Sequence, residues 1–187
     1  MRLLTLCTVL LLAACSGQPI ETQYYLLRTD AQQNSRELNP SQDFAFGQLI
    51  IAPYIDQSGL VLETNRGEIR PARYHQWAEP MHAAVRNLLI VEISQSLGED
   101  IFPARAGVGD TLVDIRVDQL HATEGGDALL VAYWWLQRDG EVVASYQFSE
   151  RKALSRDGYG AVADAEQALL VKLAARIADS MKQAAVK

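Results

Sequence analysis

The chain has 187 residues, 49% of them apolar and 21% charged, with 23 acidic against 17 basic side chains and two cysteines. At roughly 100–200 residues per domain this leaves room for one domain with a real core, and it excludes a mostly disordered chain, a coiled coil or a repeat array. The net charge of −6 and the lack of any Lys/Arg run argue against a phosphate-tracking surface, so no nucleic acid is expected among the partners.

Mean hydropathy near zero, −0.05, hides an uneven start. Met1-Arg2 carries one positive charge, and Leu3 to Leu12 is apolar but for Thr5, Cys7 and Thr8, the pattern of a signal peptide. A spanning helix needs about 20 apolar residues, and this run gives out at Ala14. Leu12-Ala13-Ala14-Cys15 resembles the bacterial lipobox, in which the cysteine is acylated and becomes the new N-terminus. The expected organisation is therefore a signal peptide over 1–14, a short lipid-anchored tether over 15–22 and one domain over 23–187. Cleavage would discard Cys7 and consume the Cys15 thiol, so disulfides and cysteine-bound metals are excluded from the mature chain. Several acyl chains hold a protein to a bilayer where one is marginal. Ser16 follows the cysteine, and by resemblance to Gram-negative lipoproteins a residue other than Asp there implies the outer membrane.

Within the domain, Gln23 to Leu27 reads as a short strand and Asp30 to Asp43 as a polar loop. Gln48 to Ile55 is a continuous apolar run suited to a central strand, with Pro53 demoting its end. Leu60–Thr64 and Glu68–Tyr74 flank Asn65-Arg66-Gly67, a hairpin turn. Glu79-Pro80 opens a helix in which Met81, Val85, Leu88, Leu89 and Ile93 recur at helical spacing, and Gly98 stands at the C-terminal cap position. Leu112 to Leu120 alternates: Val113, Ile115 and Val117 face one way, Asp114, Arg116 and Asp118 the other. Asp139-Gly140 joins runs over 128–137 and 142–149 as a tight hairpin. A last helix starts near Gly158, capped by Asp157, with Tyr159, Val162, Leu169, Leu170, Leu173 and Ile177 on one face. Two helices over one face of a mostly antiparallel sheet make an α+β two-layer sandwich.

A two-residue loop at Asp139-Gly140 sets Arg138 opposite Glu141 and Tyr133 opposite Tyr146. That register assigns Leu129, Val131, Tyr133, Trp135, Ala144, Tyr146 and Phe148 to the core. It leaves Trp134, Leu136 and Val143 on the other face, beside Asp114, Arg116 and Asp118. An aromatic anchor with aliphatic neighbours on an otherwise polar face is what interfaces use, so these three are the candidate partner or oligomer contacts. The competing reading is that the 30–43 loop folds across them.

Chemistry is sparse. His75, His82 and His121 fit no metal-ligand spacing and read as surface or hydrogen-bonded histidines. No serine sits in a nucleophile elbow, and Gly107-Val108-Gly109 precedes a strand rather than following one, which is wrong for a phosphate cradle. Glu92 and Glu166 fall on or beside apolar helical stripes and are expected to meet an arginine such as Arg70 or Arg116. With no nucleophile, base and oxyanion donors assembling, no catalytic residue, cofactor or metal is expected.

Across essentially all of residues 15–187 the chain resembles the ABC-type transport auxiliary lipoproteins, PqiC/YmbA type. The resemblance is carried by the lipobox, Tyr24-Tyr25-Leu26-Leu27, the strand Leu60-Val61-Leu62, the run Tyr74-His75-Gln76-Trp77-Ala78-Glu79-Pro80-Met81, and Asp157-Gly158-Tyr159. Trp77, Glu79 and Pro80 are its most specific part. The resemblance implies a non-enzymatic outer-membrane lipoprotein that works with MCE-domain proteins in moving lipids across the envelope and keeping it intact, and that docks or self-assembles as a homo-oligomer. Trp77 and Pro80 are then expected to close the strand-to-helix turn against the core. A reading from another class is an outer-membrane lipoprotein that scaffolds or regulates a peptidoglycan-synthesis enzyme.

Overall fold

In the computed structural model, residues 20–29, 37–104 and 109–185 are described. The signal segment, Cys15, Ser16, part of the 30–43 loop, and Gly107 and Val108 lie outside them. Among the described residues seven strands and two helices follow in the order β1 (Gln23–Tyr25), β2 (Phe44–Ile51), β3 (Gly59–Glu63), β4 (Ile69–Trp77), α1 (Met81–Leu97), β5 (Thr111–Thr123), β6 (Asp127–Arg138), β7 (Glu141–Ala153) and α2 (Tyr159–Ala185). The sheet runs β1-β4-β3-β5-β6-β7, with β2 also paired to β5. Its longest ladders, β5 with β6 and β6 with β7, are antiparallel, and the helices lie on one face and pack on each other. This is the α+β sandwich that the patterning predicts.

Local chemistry explains the boundaries. Both turn residues of the β6–β7 hairpin have positive φ, Asp139 at 54° and Gly140 at 81°, as a two-residue turn between right-twisted strands demands. α1 begins one residue later than expected: Pro80 is its N-cap, and Gly98, at φ 88°, closes it through a hydrogen bond from its N–H to the Ser94 carbonyl. At α2, Gly158 rather than Asp157 is the cap, since its carbonyl accepts from the Ala161 and Val162 amides. β2 starts four residues before the apolar run suggests. It lies parallel to β5, and its register slips between Phe46 and Leu49. A Cβ at Gly47 would collide there with the Asp114 carboxylate, which accepts a hydrogen bond from the Gln48 amide at 2.6 Å.

The core lies between sheet and helices. Phe46, Leu60, Leu88, Leu89, Ile93, Ile115, Leu130, Leu136, Leu169, Leu170, Leu173 and Ile177 are all buried. Val113, Ile115 and Val117 point inward and Arg116 outward, as the alternation of β5 requires.

The face assignment along β6 is reversed. Leu136 pairs with Ala144 and Trp134 with Tyr146, while Gln137 pairs with Val142, so the register shifts by one residue just after the turn. The hairpin does put Arg138 opposite Glu141, but the shift at Val143 moves Tyr146 from Tyr133 to Trp134. Ala128, Leu130, Ala132, Trp134 and Leu136 consequently face the helices, and Tyr133 and Trp135 are half-buried on the open face.

Candidate functional site

The partner contact expected at Trp134, Leu136 and Val143 does not exist as a surface. Trp134 is 3% exposed and Leu136 fully buried. The Trp134 indole stacks on Tyr146, with ring centroids 5.1 Å apart, and its Nε1–H donates to Ser180 Oγ of α2 at 2.9 Å. Val143 alone is accessible, at 53%. It lines a shallow groove with Arg138, Ala144, Tyr146, Lys182 and Ala184 at the rim where β7 meets the end of α2.

Each histidine has hydrogen-bond partners. His82 Nε2 donates to the Leu49 carbonyl at 3.1 Å. His121, buried in β5, has Nδ1 3.0 Å from the Tyr54 hydroxyl and Nε2 3.0 Å from Glu63 Oε2. Burial raises the Tyr54 hydroxyl to a pKa of about 12. Among the described residues no three His, Cys, Asp or Glu side chains are grouped to hold a metal ion.

The two stripe carboxylates do not meet the expected arginines. Arg70 is 2.7 Å from Glu68 and Arg116 is 2.6 Å from Asp118, both on the surface. Glu92 instead accepts from the Thr29 hydroxyl. Glu166, 2% exposed, has an Oε1 with no hydrogen-bond partner among the described residues, and burial raises its pKa from 4.5 to about 8. At neutral pH it is therefore a protonated acid within the apolar layer.

What the structure does bring together is the set of motifs that lie far apart in sequence. β1 lies parallel to the end of β4, with Gln23 beside His75 and Tyr25 beside Trp77. The Tyr25 hydroxyl is 3.0 Å from His75 Nδ1, and the His75 ring stacks on Tyr159 at the start of α2, with centroids 4.3 Å apart. Trp77 is buried; its amide donates to the Ser58 carbonyl at 2.7 Å, and the Ala78 amide to the Tyr25 carbonyl at 2.8 Å. Arg28 forms an ion pair with Glu79 just before the Pro80 cap. Trp77, Glu79 and Pro80 thus close the strand-to-helix turn, and Glu79 also ties down the segment leaving β1. This corner joins the N-terminal edge strand, the start of α1 and the start of α2, and it stands next to the chain that leads back to Cys15. Each motif is legible in the sequence, whereas their meeting depends on the parallel β1–β4 pairing, which no local pattern announces.

The sequence model for the ABC-type transport auxiliary lipoprotein component matches residues 24–178, a span that contains every strand from Tyr24 onward and most of α2. The intermembrane transport lipoprotein PqiC of Escherichia coli (strain K12) is 23% identical over 180 residues, covering 92% of each chain. Among solved structures, that of an uncharacterized protein superposes with a TM-score of 0.74 at 19% identity, covering 86% of this chain and 99% of its own. One from Xanthomonas campestris gives 0.69 at 16% identity, covering 88% and 100%. These two establish the shared fold. With the family model spanning α1, most of α2 and the motif corner, the chain belongs to the family of ABC-type transport auxiliary lipoprotein components.

Proposed function

We propose that this protein is an outer-membrane-anchored periplasmic lipoprotein, a non-catalytic accessory subunit of an MCE-type, Pqi-like lipid transport system that maintains envelope integrity. The observation that carries the reading is the family match over 24–178 together with the likeness to PqiC along 92% of both chains. The lipobox at Leu12-Ala13-Ala14-Cys15 supports processing after residue 14, a tether over 15–22 and a domain over 23–187. In this reading the protein acts through surfaces: it docks an MCE-domain protein and associates with copies of itself. The accessible apolar pair Val142 and Val143 at the β6–β7 end is available for such contacts.

Two measurements test this. Crosslinking in cells followed by purification is expected to recover an MCE-domain protein with this chain, and recovery of none overturns the transport reading. Cys15→Ser removes the acylated sulfur, and with it about 0.8 kcal/mol per buried methylene of membrane affinity. The variant is expected in the soluble periplasmic fraction; unchanged outer-membrane fractionation would dismiss the lipid anchor.

A further inference from the structure

Eight large apolar side chains stand exposed among the described residues, and three of them fall within seven residues of one edge: Ile20 at 67%, Tyr24 at 65% and Leu26 at 54%. Their neighbours in sequence are committed elsewhere. Tyr25 is held by His75, and Leu27 is buried in the core. Leu26 borders a groove that Ile90 and Val91 of α1 line together with Arg28, Glu79 and Asn87. Between residues 20 and 28 the only charged side chains are Glu21 and Arg28, and Arg28 is paired with Glu79. The edge is thus apolar, near neutral and without a partner strand on its outer side among the described residues.

We propose that this edge lies against the lipid bilayer, with Ile20, Tyr24 and Leu26 entering the boundary between headgroups and acyl chains. The proposal rests on the lipid-anchor reading above, and the argument is one of reach. Four residues separate Cys15 from Ile20, so the five steps between them span at most about 18 Å of extended chain, and an acylated Cys15 keeps Ile20 within that distance of the acyl chains. The polar layer of a bilayer is itself several ångströms deep, so little of that length remains as free spacer. A protein partner on this edge would have to enter the gap between the domain and the membrane. A tyrosine beside aliphatic side chains is also the composition that settles at a membrane interface, where the ring is buried and its hydroxyl stays wet. The edge then acts as a second, weaker attachment that fixes which side of the domain faces the bilayer. It leaves β7, at the opposite border of the sheet, turned toward the periplasm.

The test uses the full acylated protein reconstituted into phosphatidylethanolamine/phosphatidylglycerol vesicles. The mature chain has no free thiol, so Glu21→Cys and, as the distant control, Val142→Cys each accept one environment-sensitive fluorophore. Both labelled proteins are expected to float with the vesicles. The label at 21 is expected to be quenched by brominated phospholipid about threefold more strongly than the label at 142, as burial in the interface requires. Adding Tyr24→Ser and Leu26→Ser to the Glu21→Cys protein is expected to leave flotation intact and to remove most of that quenching. Equal quenching at 21 and 142 in floating protein overturns the proposal and spares the anchor. Strong quenching that survives the serine pair also overturns it, because tether proximity alone then accounts for the signal. Shielding of position 21 from aqueous quencher without brominated-lipid quenching shows a protein, such as a second copy, on the edge and likewise overturns it. Failure to float defeats the anchor reading and the proposal together.

Discussion

Trp134→Ala is expected to lower the free energy of unfolding by about 3–5 kcal/mol, the usual cost of emptying a buried aromatic site. The indole sits between Tyr146 and α2, and its Nε1–H bonds to Ser180 Oγ. The Ser180 hydroxyl in turn donates to the Ile177 carbonyl at 2.6 Å. The helix residues around this place include Ala174 and Ala178, both fully buried, and alanine has no atoms with which to refill a cavity. Trp134→Phe keeps most of the volume and forfeits the N–H, which isolates a hydrogen bond worth about 1 kcal/mol. Denaturant titration at fixed pH checks both variants. A loss below about 0.5 kcal/mol for the alanine variant, as is normal for surface positions, would contradict the packing described above.

Glu166→Gln is expected to change how stability depends on pH rather than to shift it uniformly. In the unfolded chain the carboxyl ionises near its ordinary value of 4.5; in the folded state burial holds it protonated up to about 8. A folded pKa above the unfolded one favours the native state fully below about pH 4.5. The advantage then declines as pH rises, because only the unfolded chain releases its proton, until the folded carboxyl ionises too. At about 1.4 kcal/mol per pH unit, the wild-type protein should lose roughly 3–5 kcal/mol from this one group between pH 5 and pH 8. Glutamine has nothing to titrate. The variant should therefore gain on the wild type across that window, by an amount read directly from paired urea titrations at pH 5 and pH 8. Parallel pH profiles would show that the carboxyl finds a partner or water in solution.

β5 was the most legible element, because Asp114 and Arg116 alternate with Val113, Ile115 and Val117 and only one face can be wet. β6 carries large apolar side chains at both parities. Leu129, Val131, Tyr133 and Trp135 form a heavier set than Ala132, Trp134 and Leu136, and hydrophobic weight pointed to the wrong face. The inner set is the lighter one because alanines of β6 and α2 let helix and sheet approach closely. Carrying the alternation of β5 across its pairing, Val113 to Leu136 and Ile115 to Trp134, gives the right answer. The one-residue shift at Val143 breaks the simpler inference from the turn, since a bulge leaves no local sequence mark. Helix ends were readable to within a residue through Pro80 and Gly98. The site was readable in pieces: Trp77, Glu79, Pro80 and Tyr159 stood out, whereas the stack that joins Tyr25, His75 and Tyr159 is a product of topology. Glu166 stood out by its place on a stripe, but that its Oε1 finds no partner among the described residues depends on what surrounds it in space.

The last helix has a bearing on the order in which the chain acquires its structure. α2 supplies Leu169, Leu170, Leu173, Ile177 and Met181 to the buried layer, and it lies along the strands that precede it. β2 must also wait, since its partner β5 arrives only after α1, with Phe44 set beside Thr111. Contacts of such long sequence separation form slowly, because the intervening loop has to close before they stabilise anything. A nascent chain that lacks its final turns therefore has an uncovered sheet and no closed interior. Late closure of this kind extends the time during which a new chain remains an unfolded thread, the form in which a polypeptide can be passed across a membrane.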